Sequence, residues 1–201
     1  MKCLTIEELA ELAQALHSSD APTQLGAVNV LETSKRASAV LVGLQEKERE
    51  PHLVLTRRTD HLKHHPGQIC FPGGRFEPER DNDLAETVHR EVEEELGIAA
   101  QQIELWSRLP DIDTMTGFTI TPLFGLLRTE QYQPCDEEVA EVLEVPLSFF
   151  FDPKNTQRKT LTYQGKQHAY WAYQYQEHFI WGATAKIIQG LVESLNRSLI
   201  R

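Results

Sequence analysis

One segment of the chain constrains the fold more than any other, a helix predicted from Leu84 to Leu96. Asp83 is a favourable N-cap residue, and Glu86 stands three residues later, as in a capping box. The apolar residues of this helix recur every four positions and form one ridge: Leu84, Val88, Val92 and Leu96. Gly97 follows as a C-terminal glycine. The sequence therefore predicts both ends of this helix and the face that packs against the rest of the protein.

The other face of this helix carries three glutamates, Glu91, Glu94 and Glu95, at positions i, i+3 and i+4. Like charges at this spacing destabilise a helix by about 0.2–0.5 kcal/mol per pair, and the C-terminal end of the helix dipole adds to the cost. A solvated acidic face is one explanation of such a cluster. A metal site is the other, because Mg²⁺ binds carboxylate oxygens and shares them with substrate phosphates.

A glycine-rich loop, Phe71-Pro72-Gly73-Gly74, precedes this helix. Paired glycines permit unusual backbone angles and a close approach of the main chain to a ligand, and free amides in such a turn bind phosphate oxygens. Alone, Pro-Gly-Gly is equally typical of an ordinary turn. The loop belongs to a longer stretch, residues 58–82, that is rich in proline and glycine and is predicted to be irregular. Irregular stretches of that length are usually functional.

The loop and the helix together resemble the Nudix box, a glycine loop followed by Arg-Glu-aliphatic-x-Glu-Glu-x-Gly-aliphatic. Arg90–Ile98 match every position of this second half. The first half departs from the family's pattern, which has a glutamate six residues after its leading glycine. Here Arg80 stands at that offset from Gly74, and Arg90 comes two residues late. Four residues of this lengthened segment are candidates to replace the glutamate: Glu77, Glu79, Asp81 and Asp83.

The residues before the box resemble the signature of coenzyme A pyrophosphatases. The matching stretches are Leu55-Thr56-x-Arg58-Thr59, Leu62-Lys63-x-His65 and Gly67-Gln68-Ile69-x-Phe71-Pro72-Gly73-Gly74. Later segments, such as Trp181-Gly182-x-Thr184-Ala185, extend the likeness over about residues 37–195. The resemblance implies a Nudix hydrolase, most like the coenzyme A pyrophosphatase subfamily, with the α/β/α sandwich of that superfamily.

This resemblance implies that water attacks phosphorus and cleaves coenzyme A or acyl-coenzyme A to 4′-phosphopantetheine and 3′,5′-ADP. Another nucleoside diphosphate derivative, such as ADP-ribose, NADH or an oxidised nucleotide, is the alternative substrate. The implied cofactor is Mg²⁺ or Mn²⁺, because the reaction needs neutralised phosphate charge and an activated water. A non-catalytic nucleotide-binding module and a purely structural acidic helix are the competing interpretations.

The resemblance also implies roles for particular residues. The metal ligands are Glu91, Glu94 and Glu95, and the catalytic residues are Glu91, Glu94 and Arg90. The residues that bind substrate are Arg57, Arg58, Lys63, Gly73 and Gly74. Arg90 is expected to hold the loop and the glutamates in place by charge-assisted hydrogen bonds. An exposed arginine that pairs with Glu94 is the simpler interpretation of Arg90, and a solvent-exposed strand end is that of Arg57.

Other candidates carry less weight. His61, His64 and His65 form a histidine-rich loop that is expected to contact substrate or solvent, since Mg²⁺ prefers oxygen ligands. Glu137 and Glu138 lie where some family members supply a further catalytic glutamate, although a solvated loop is the simpler interpretation. The tryptophans are expected to line the core or a pocket: Trp106, Trp171 and Trp181.

The remaining elements follow from periodicity. A helix is predicted from Thr5 to His17, and a polar connector follows, so we divide the chain into a helix and connector (1–35) and one domain (36–201). Strands are predicted at Ala37–Leu44, His52–Arg57, Ile103–Leu109, Phe118–Leu127 and His168–Gln174, with a last helix at Gly182–Leu199. These elements interleave without a regular βαβ repeat. The predicted class is therefore α/β (α+β), a mixed β-sheet flanked by helices.

Composition excludes several classes of protein. The chain has 20 Lys plus Arg against 30 Asp plus Glu, a formal net charge of −10, which argues against nucleic-acid and polybasic membrane binding. No stretch approaches the ~20 apolar residues of a membrane span. The three cysteines form no CxxC pair, which fits a reduced cytoplasm. We therefore expect a cytoplasmic protein that acts on a small nucleoside diphosphate, with a homodimer left open.

Overall fold

The computed structural model describes residues 4–16, 35–163 and 165–200. Its helices are α1 (Ile6–Leu16), α2 (Leu84–Leu96), α3 (Leu147–Phe151) and α4 (Gly182–Leu199). Its strands are β1 (Arg36–Lys47), β2 (Glu50–Arg58), β3 (Ile69–Cys70), β4 (Gly73–Arg75), β5 (Ile103–Arg108), β6 (Ile112–Asp113), β7 (Phe118–Leu127), β8 (Val139–Pro146), β9 (Thr156–Tyr163), β10 (Lys166–Tyr175) and β11 (His178–Trp181).

The longer elements agree with the sequence predictions. Helices α2 and α4 and strand β7 have the predicted bounds, and α1, β1, β2, β5 and β10 differ from them by a few residues at their ends. The predicted hairpin joins β1 to β2, with Glu48 and Arg49 both at positive φ in the turn. The connector predicted at residues 18–35 lies outside the described residues except for Lys35.

Several strands were not predicted. The segment 58–82, which was expected to be irregular throughout, contains β3 and β4, and β6, β8, β9 and β11 were also not among the predicted strands. Strands of two to four residues are too short to display an alternating pattern. Most residues of β9 are polar, and it is a strand because it pairs along its whole length with the more apolar β10.

The main sheet is mixed, because β1 and β7 run parallel whereas the other described pairs in it are antiparallel. Strands β1 and β2 pair only near their shared hairpin and part further from it. Two short strands fill the gap, β3 against β2 and β4 against β1. The Phe71–Gly73 turn joins these two strands, so the divergence of β1 and β2 places the glycine loop between them.

Helices cover both faces of this sheet. One core packs α1, α3 and α4 against one face, and its buried residues include Leu9, Phe150 and Ile188. The other core packs α2 against the opposite face. The predicted ridge of α2 supplies residues that are at most 3% exposed: Leu84, Val88, Val92 and Leu96. This layering agrees with the predicted class, a mixed sheet flanked by helices.

Each buried side chain of the ridge contributes about 1.5–3 kcal/mol to stability, so the ridge fixes how α2 lies on the sheet. At the N-terminus of α2, Asp83 accepts a hydrogen bond from the Glu86 amide at 2.9 Å. The reciprocal half of the expected capping box is different, because the Glu86 carboxylate binds the Asn82 amide instead. Gly97, with φ of 68°, ends the helix and donates its amide to Glu93.

Within the described part of the chain, no helix combines the length and apolar character that crossing a bilayer requires.

Candidate active site

The three glutamates of α2 differ in their exposure. The Glu95 side chain is 4% exposed, that of Glu91 is 17% exposed and that of Glu94 is 47% exposed. This gradient follows from the helix geometry, since Glu95 precedes a ridge residue and faces the sheet, whereas Glu94 lies nearer to solvent. The predicted metal ligands therefore lie in a row that runs from the protein interior to its surface.

The glycine loop lies directly against two of these glutamates. The Gly73 amide donates to the Glu95 carboxylate at 3.3 Å. A Cβ atom on Gly74 would overlap the carboxylate of Glu91, and one on Gly73, where φ is 143°, would overlap the backbone carbonyl of Ala39. Both glycines are therefore required for close packing, one against a neighbouring strand and one against a glutamate of the helix.

Arg90 lies at the centre of a hydrogen-bond network. Its guanidinium donates to Asp81 Oδ1 at 2.8 Å and Oδ2 at 3.0 Å, a bidentate pair with a buried carboxylate. It also donates to Glu91 Oε1 at 2.7 Å, to Glu94 Oε2 at 3.2 Å and to the Arg75 carbonyl at 3.0 Å. These hydrogen bonds connect the loop to two of the glutamates, Glu91 and Glu94.

Of the four candidates to replace the displaced glutamate, Asp81 is the one that pairs with Arg90 among the described residues. Besides Arg90, it accepts hydrogen bonds from the Glu77 amide and from the Thr87 hydroxyl, each at 2.9 Å. Burial alone would raise the pKa of Asp81, but these hydrogen bonds outweigh burial and lower it. The other candidates lie elsewhere: Asp83 caps α2, Glu77 pairs with Arg80, and Glu79 is exposed.

The basic residues expected to bind substrate are not together. Arg58 lies beside the glutamates, with Nη1 3.9 Å from Glu95 Oε1, and its Nε is buried without a hydrogen-bond partner. Arg57 instead pairs with Asp60 at 3.3 Å and with Glu141 at 3.7 Å. The two neighbouring residues thus contact different partners, at a place where the register of the β2–β8 pairing shifts. Lys63 is exposed in the loop that follows.

Burial and like charge act together on the inner glutamates. Burial, followed by the charge of Glu91, raises the pKa of Glu95 to about 8, although the Gly73 amide and Arg58 oppose this. Burial likewise raises the pKa of Glu91. Glu138 adds to both shifts, so this exposed residue at the start of β8 lies near the glutamates.

No group of three or more His, Cys, Asp or Glu side chains in the described ranges stands ready to hold a metal ion. Guanidinium groups hold both oxygens of Glu94, and the Gly73 amide holds Glu95. The donor set nevertheless suits a hard divalent cation, because it consists of carboxylate oxygens. A cation would also offset the repulsion among Glu91, Glu95 and Glu138. The residues therefore fit such an ion once their side chains rotate.

The remaining candidates lie away from these glutamates or in the core. His61, His64 and His65 are exposed. The Glu137 carbonyl accepts from the Thr59 hydroxyl, while its side chain is exposed. Trp106 is in the core, edge-on to a phenylalanine ring, and the other two tryptophans are partly buried: Trp171 and Trp181. Arg80, which sequence reasoning did not assign a function, pairs with Glu94 at 2.5 Å.

Comparison with known proteins agrees with this geometry. Residues 34–171 match the NUDIX domain family. The Nudix hydrolase NudL of Enterobacter sp. (strain 638), itself uncharacterised, is 38% identical over 164 residues, which cover 79% of this chain and 82% of that protein. NudL of Yersinia enterocolitica is 38% identical over 148 residues, which cover 73% of this chain and 75% of that protein.

Solved structures share the fold at low identity. A MutT/nudix family protein from Enterococcus faecalis has a TM-score of 0.52 at 16% identity, covering 96% of this chain and 70% of that chain. A NUDIX hydrolase from Alicyclobacillus acidocaldarius has a TM-score of 0.52 at 15% identity, covering 81% and 93%. The chain therefore belongs to the Nudix family. It is a Nudix pyrophosphohydrolase, a class of enzyme that generally needs a divalent metal.

Proposed function

We propose that this enzyme is a Mg²⁺- or Mn²⁺-dependent hydrolase that cleaves the pyrophosphate bond of coenzyme A or acyl-coenzyme A. The products would be 4′-phosphopantetheine and 3′,5′-ADP. One observation carries the proposal: Glu91 and Glu95 lie against the glycine loop, with Arg58 beside Glu95, at the gap between β1 and β2. The choice of coenzyme A rests on the signature in residues 55–74, which supplies both Arg58 and the loop.

In this proposal Glu91, Glu94 and Glu95 hold the metal. When bound, the cation neutralises phosphate charge and lowers the pKa of a coordinated water. The buried Glu95 is deprotonated more easily beside a cation, because its pKa is raised by burial and by the neighbouring charge of Glu91. Arg90 and Asp81 keep the glutamates and the loop in register, which positions the reacting groups.

The substrate's phosphates would contact Arg58, Lys63 and the backbone of Gly73 and Gly74. Arg58 is suited to this because its side chain is 23% exposed and lies beside Glu95, where its guanidinium can donate charge-assisted hydrogen bonds to a phosphate. Arg57 is committed to Asp60 and Glu141, so we assign it to holding the loop that carries Lys63.

Glu138 is our choice for the group that takes the proton from the attacking water. Glu91 and Glu94 already accept hydrogen bonds from Arg90, whereas the Glu138 side chain is exposed and close enough to shift the pKa of Glu91 and Glu95. A general base must lie within reach of the water and remain deprotonated. Glu138 is exposed and its charge acts on both inner glutamates, which places it where such a water would bind.

Purified protein would be incubated with Mg²⁺ or Mn²⁺ and a panel of substrates: coenzyme A, acetyl-coenzyme A, ADP-ribose, NADH and 8-oxo-dGTP. Chromatography of the products identifies the bond that is cleaved. We expect 3′,5′-ADP from the coenzyme A substrates and its loss in Glu94→Gln. Brisk cleavage of ADP-ribose with no turnover of coenzyme A would overturn the substrate assignment. Full activity of Glu94→Gln would overturn the site.

A further inference from the structure

Two guanidinium groups divide the carboxylate of Glu94 between them. Arg80 Nη2 lies 2.5 Å from Glu94 Oε1, and Arg90 Nη1 lies 3.2 Å from Oε2. A metal ion that binds Glu94 therefore has to share its carboxylate with these guanidinium groups or displace one of them. Which arginine leaves depends on what else holds each of them.

The two arginines are held very differently. Arg90 is 13% exposed and is fixed by the bidentate pair with buried Asp81, so its guanidinium stays in place. Arg80 is 50% exposed, and Glu94 is its close partner. A second carboxylate is already within reach, because Arg80 Nη1 lies 3.6 Å from Glu77 Oε2. Arg80 can therefore leave Glu94 at little cost.

We propose that Arg80 is an internal counter-ion that competes with the divalent cation for Glu94 and shifts towards Glu77 when the cation binds. The inference rests on the proposed metal site and adds a residue to it. Arg80 stands where the Nudix pattern has a glutamate, counted from Gly74, so at this offset the chain carries a cation instead of a carboxylate.

If Arg80 competes with the cation, replacing Arg80 has two opposite effects: it lowers stability without metal and strengthens metal binding. The Arg80–Glu94 pair lowers the free energy of the protein only while Glu94 is not bound to a metal. Removing it leaves Glu91, Glu94 and Glu95 with less compensation for their repulsion, which slightly destabilises the protein in chelator. The same removal strengthens metal binding, because no ion pair has to be broken first. An arginine that merely oriented Glu94 for the metal would have the reverse effect on binding.

The test is Mn²⁺ binding by calorimetry at fixed ionic strength, without substrate, on the full-length protein. The variants are Arg80→Gln and a matched control, Arg128→Gln. Arg128 pairs with Glu104 on the surface away from the glycine loop, so the control also removes one guanidinium and one exposed ion pair. It thereby corrects for the change in net charge. We expect Arg80→Gln to bind Mn²⁺ about two- to fivefold more tightly than Arg128→Gln, the range for one exposed ion pair.

A thermal-shift measurement gives a second readout. In chelator, the melting temperature of Arg80→Gln should be slightly lower than that of Arg128→Gln. Saturating Mn²⁺ should raise the melting temperature of Arg80→Gln by more than that of Arg128→Gln. Equal or weaker Mn²⁺ binding in Arg80→Gln would overturn the role of Arg80. Glu94→Gln separates this failure from failure of the proposed site. If Mn²⁺ binding survives in Glu94→Gln, the metal site is wrong and the Arg80 proposal falls with it; if binding is lost there, only the Arg80 result decides.

Discussion

The carboxylate of Asp81 accepts two hydrogen bonds from the guanidinium of Arg90, at 2.8 Å and 3.0 Å. Because Asp81 lies in the loop and Arg90 on α2, this pair joins the lengthened first half of the box to its intact second half. Asp81 also accepts hydrogen bonds from the amide of Glu77 and the hydroxyl of Thr87. An aspartate one position away from Arg80, where the Nudix pattern has its glutamate, thus holds Arg90.

The first prediction concerns Asp81→Asn, which keeps the size of the side chain and removes its charge. The amide cannot accept both hydrogen bonds of the guanidinium fork, so we expect a loss of about 2 kcal/mol in unfolding free energy, typical of hydrogen bonds to a charged group. Arg90 would also hold Glu91 and Glu94 less firmly. A displacement of these groups should lower kcat by about 10- to 100-fold. Urea unfolding and steady-state kinetics measure the two effects.

Asp83→Ala is the matched control for this prediction. It removes a second carboxylate two residues away, whose role is to cap α2 through the Glu86 amide. Loss of an N-cap costs about 1 kcal/mol. The control should therefore lose stability and keep kcat. Equal losses of kcat in the two variants would show that Asp81 acts only through the stability of the helix.

The second prediction is the pH dependence of the Asp81 contribution. Burial would raise its pKa, but the hydrogen bonds from Arg90 and its other donors lower it below 3.8. Because the pKa of Asp81 is lower in the folded protein than in the unfolded chain, the unfolded chain binds the proton more tightly. Stability therefore rises with pH between these two pKa values. The difference in unfolding free energy between wild type and Asp81→Asn should be constant around neutral pH. It should become smaller as the pH falls below 3.8. A difference that is as large at pH ~3 as at pH ~7 would contradict the assignment.

Periodicity predicted α2 well because its bounds and its buried ridge are local properties. Asp83, the apolar ridge and Gly97 act within one helix, and the structure contains each of them as expected. The divergence of β1 and β2 is not local. Strands β3 and β4 exist only because each pairs with a longer strand across that gap, so no pattern in residues 69–75 could have shown them.

The partners of the charged residues also could not be predicted from the sequence. Four acidic residues were candidates for the displaced glutamate, and only burial and hydrogen-bond direction distinguish Asp81 from the others. Arg57 and Arg58 are neighbours in sequence, but they pair with different carboxylates, Glu141 and Glu95. Arg80 gave no signal beyond its place in the box. Long-range partners of charged side chains depend on packing that one sequence does not specify.

The third prediction contrasts the two loop glycines. Gly74→Ala would place a methyl group on the Glu91 carboxylate, the flexible end of a side chain that can move away. We expect a stability cost below about 1 kcal/mol but a large loss of kcat, since Glu91 is displaced. Gly73→Ala would meet the backbone of Ala39 and requires a positive φ of 143°, so strain alone should cost about 1–3 kcal/mol. Thermal unfolding and steady-state kinetics of both variants distinguish the two cases. Equal destabilisation by Gly73→Ala and Gly74→Ala would contradict this prediction.

The fourth prediction separates the two arginines at the end of β2. Arg58→Gln removes a guanidinium that lies 3.9 Å from Glu95 and has a buried, unpartnered Nε. If Arg58 contacts a substrate phosphate, the loss of a charge-assisted hydrogen bond should raise KM about tenfold or more. Arg57→Gln breaks the pairs with Asp60 and Glu141 instead, so its KM should change less than about threefold.

The two variants are matched, because each replaces an arginine by glutamine and changes the net charge equally. Loss of one positive charge increases the long-range repulsion between the acidic enzyme and an anionic substrate, which would affect both variants alike, whereas loss of a direct contact affects only Arg58→Gln. KM measured at two ionic strengths distinguishes these causes, since long-range repulsion is screened by salt and a close contact much less so. An equal rise of KM in both variants that disappears at high salt would show that neither arginine touches the substrate.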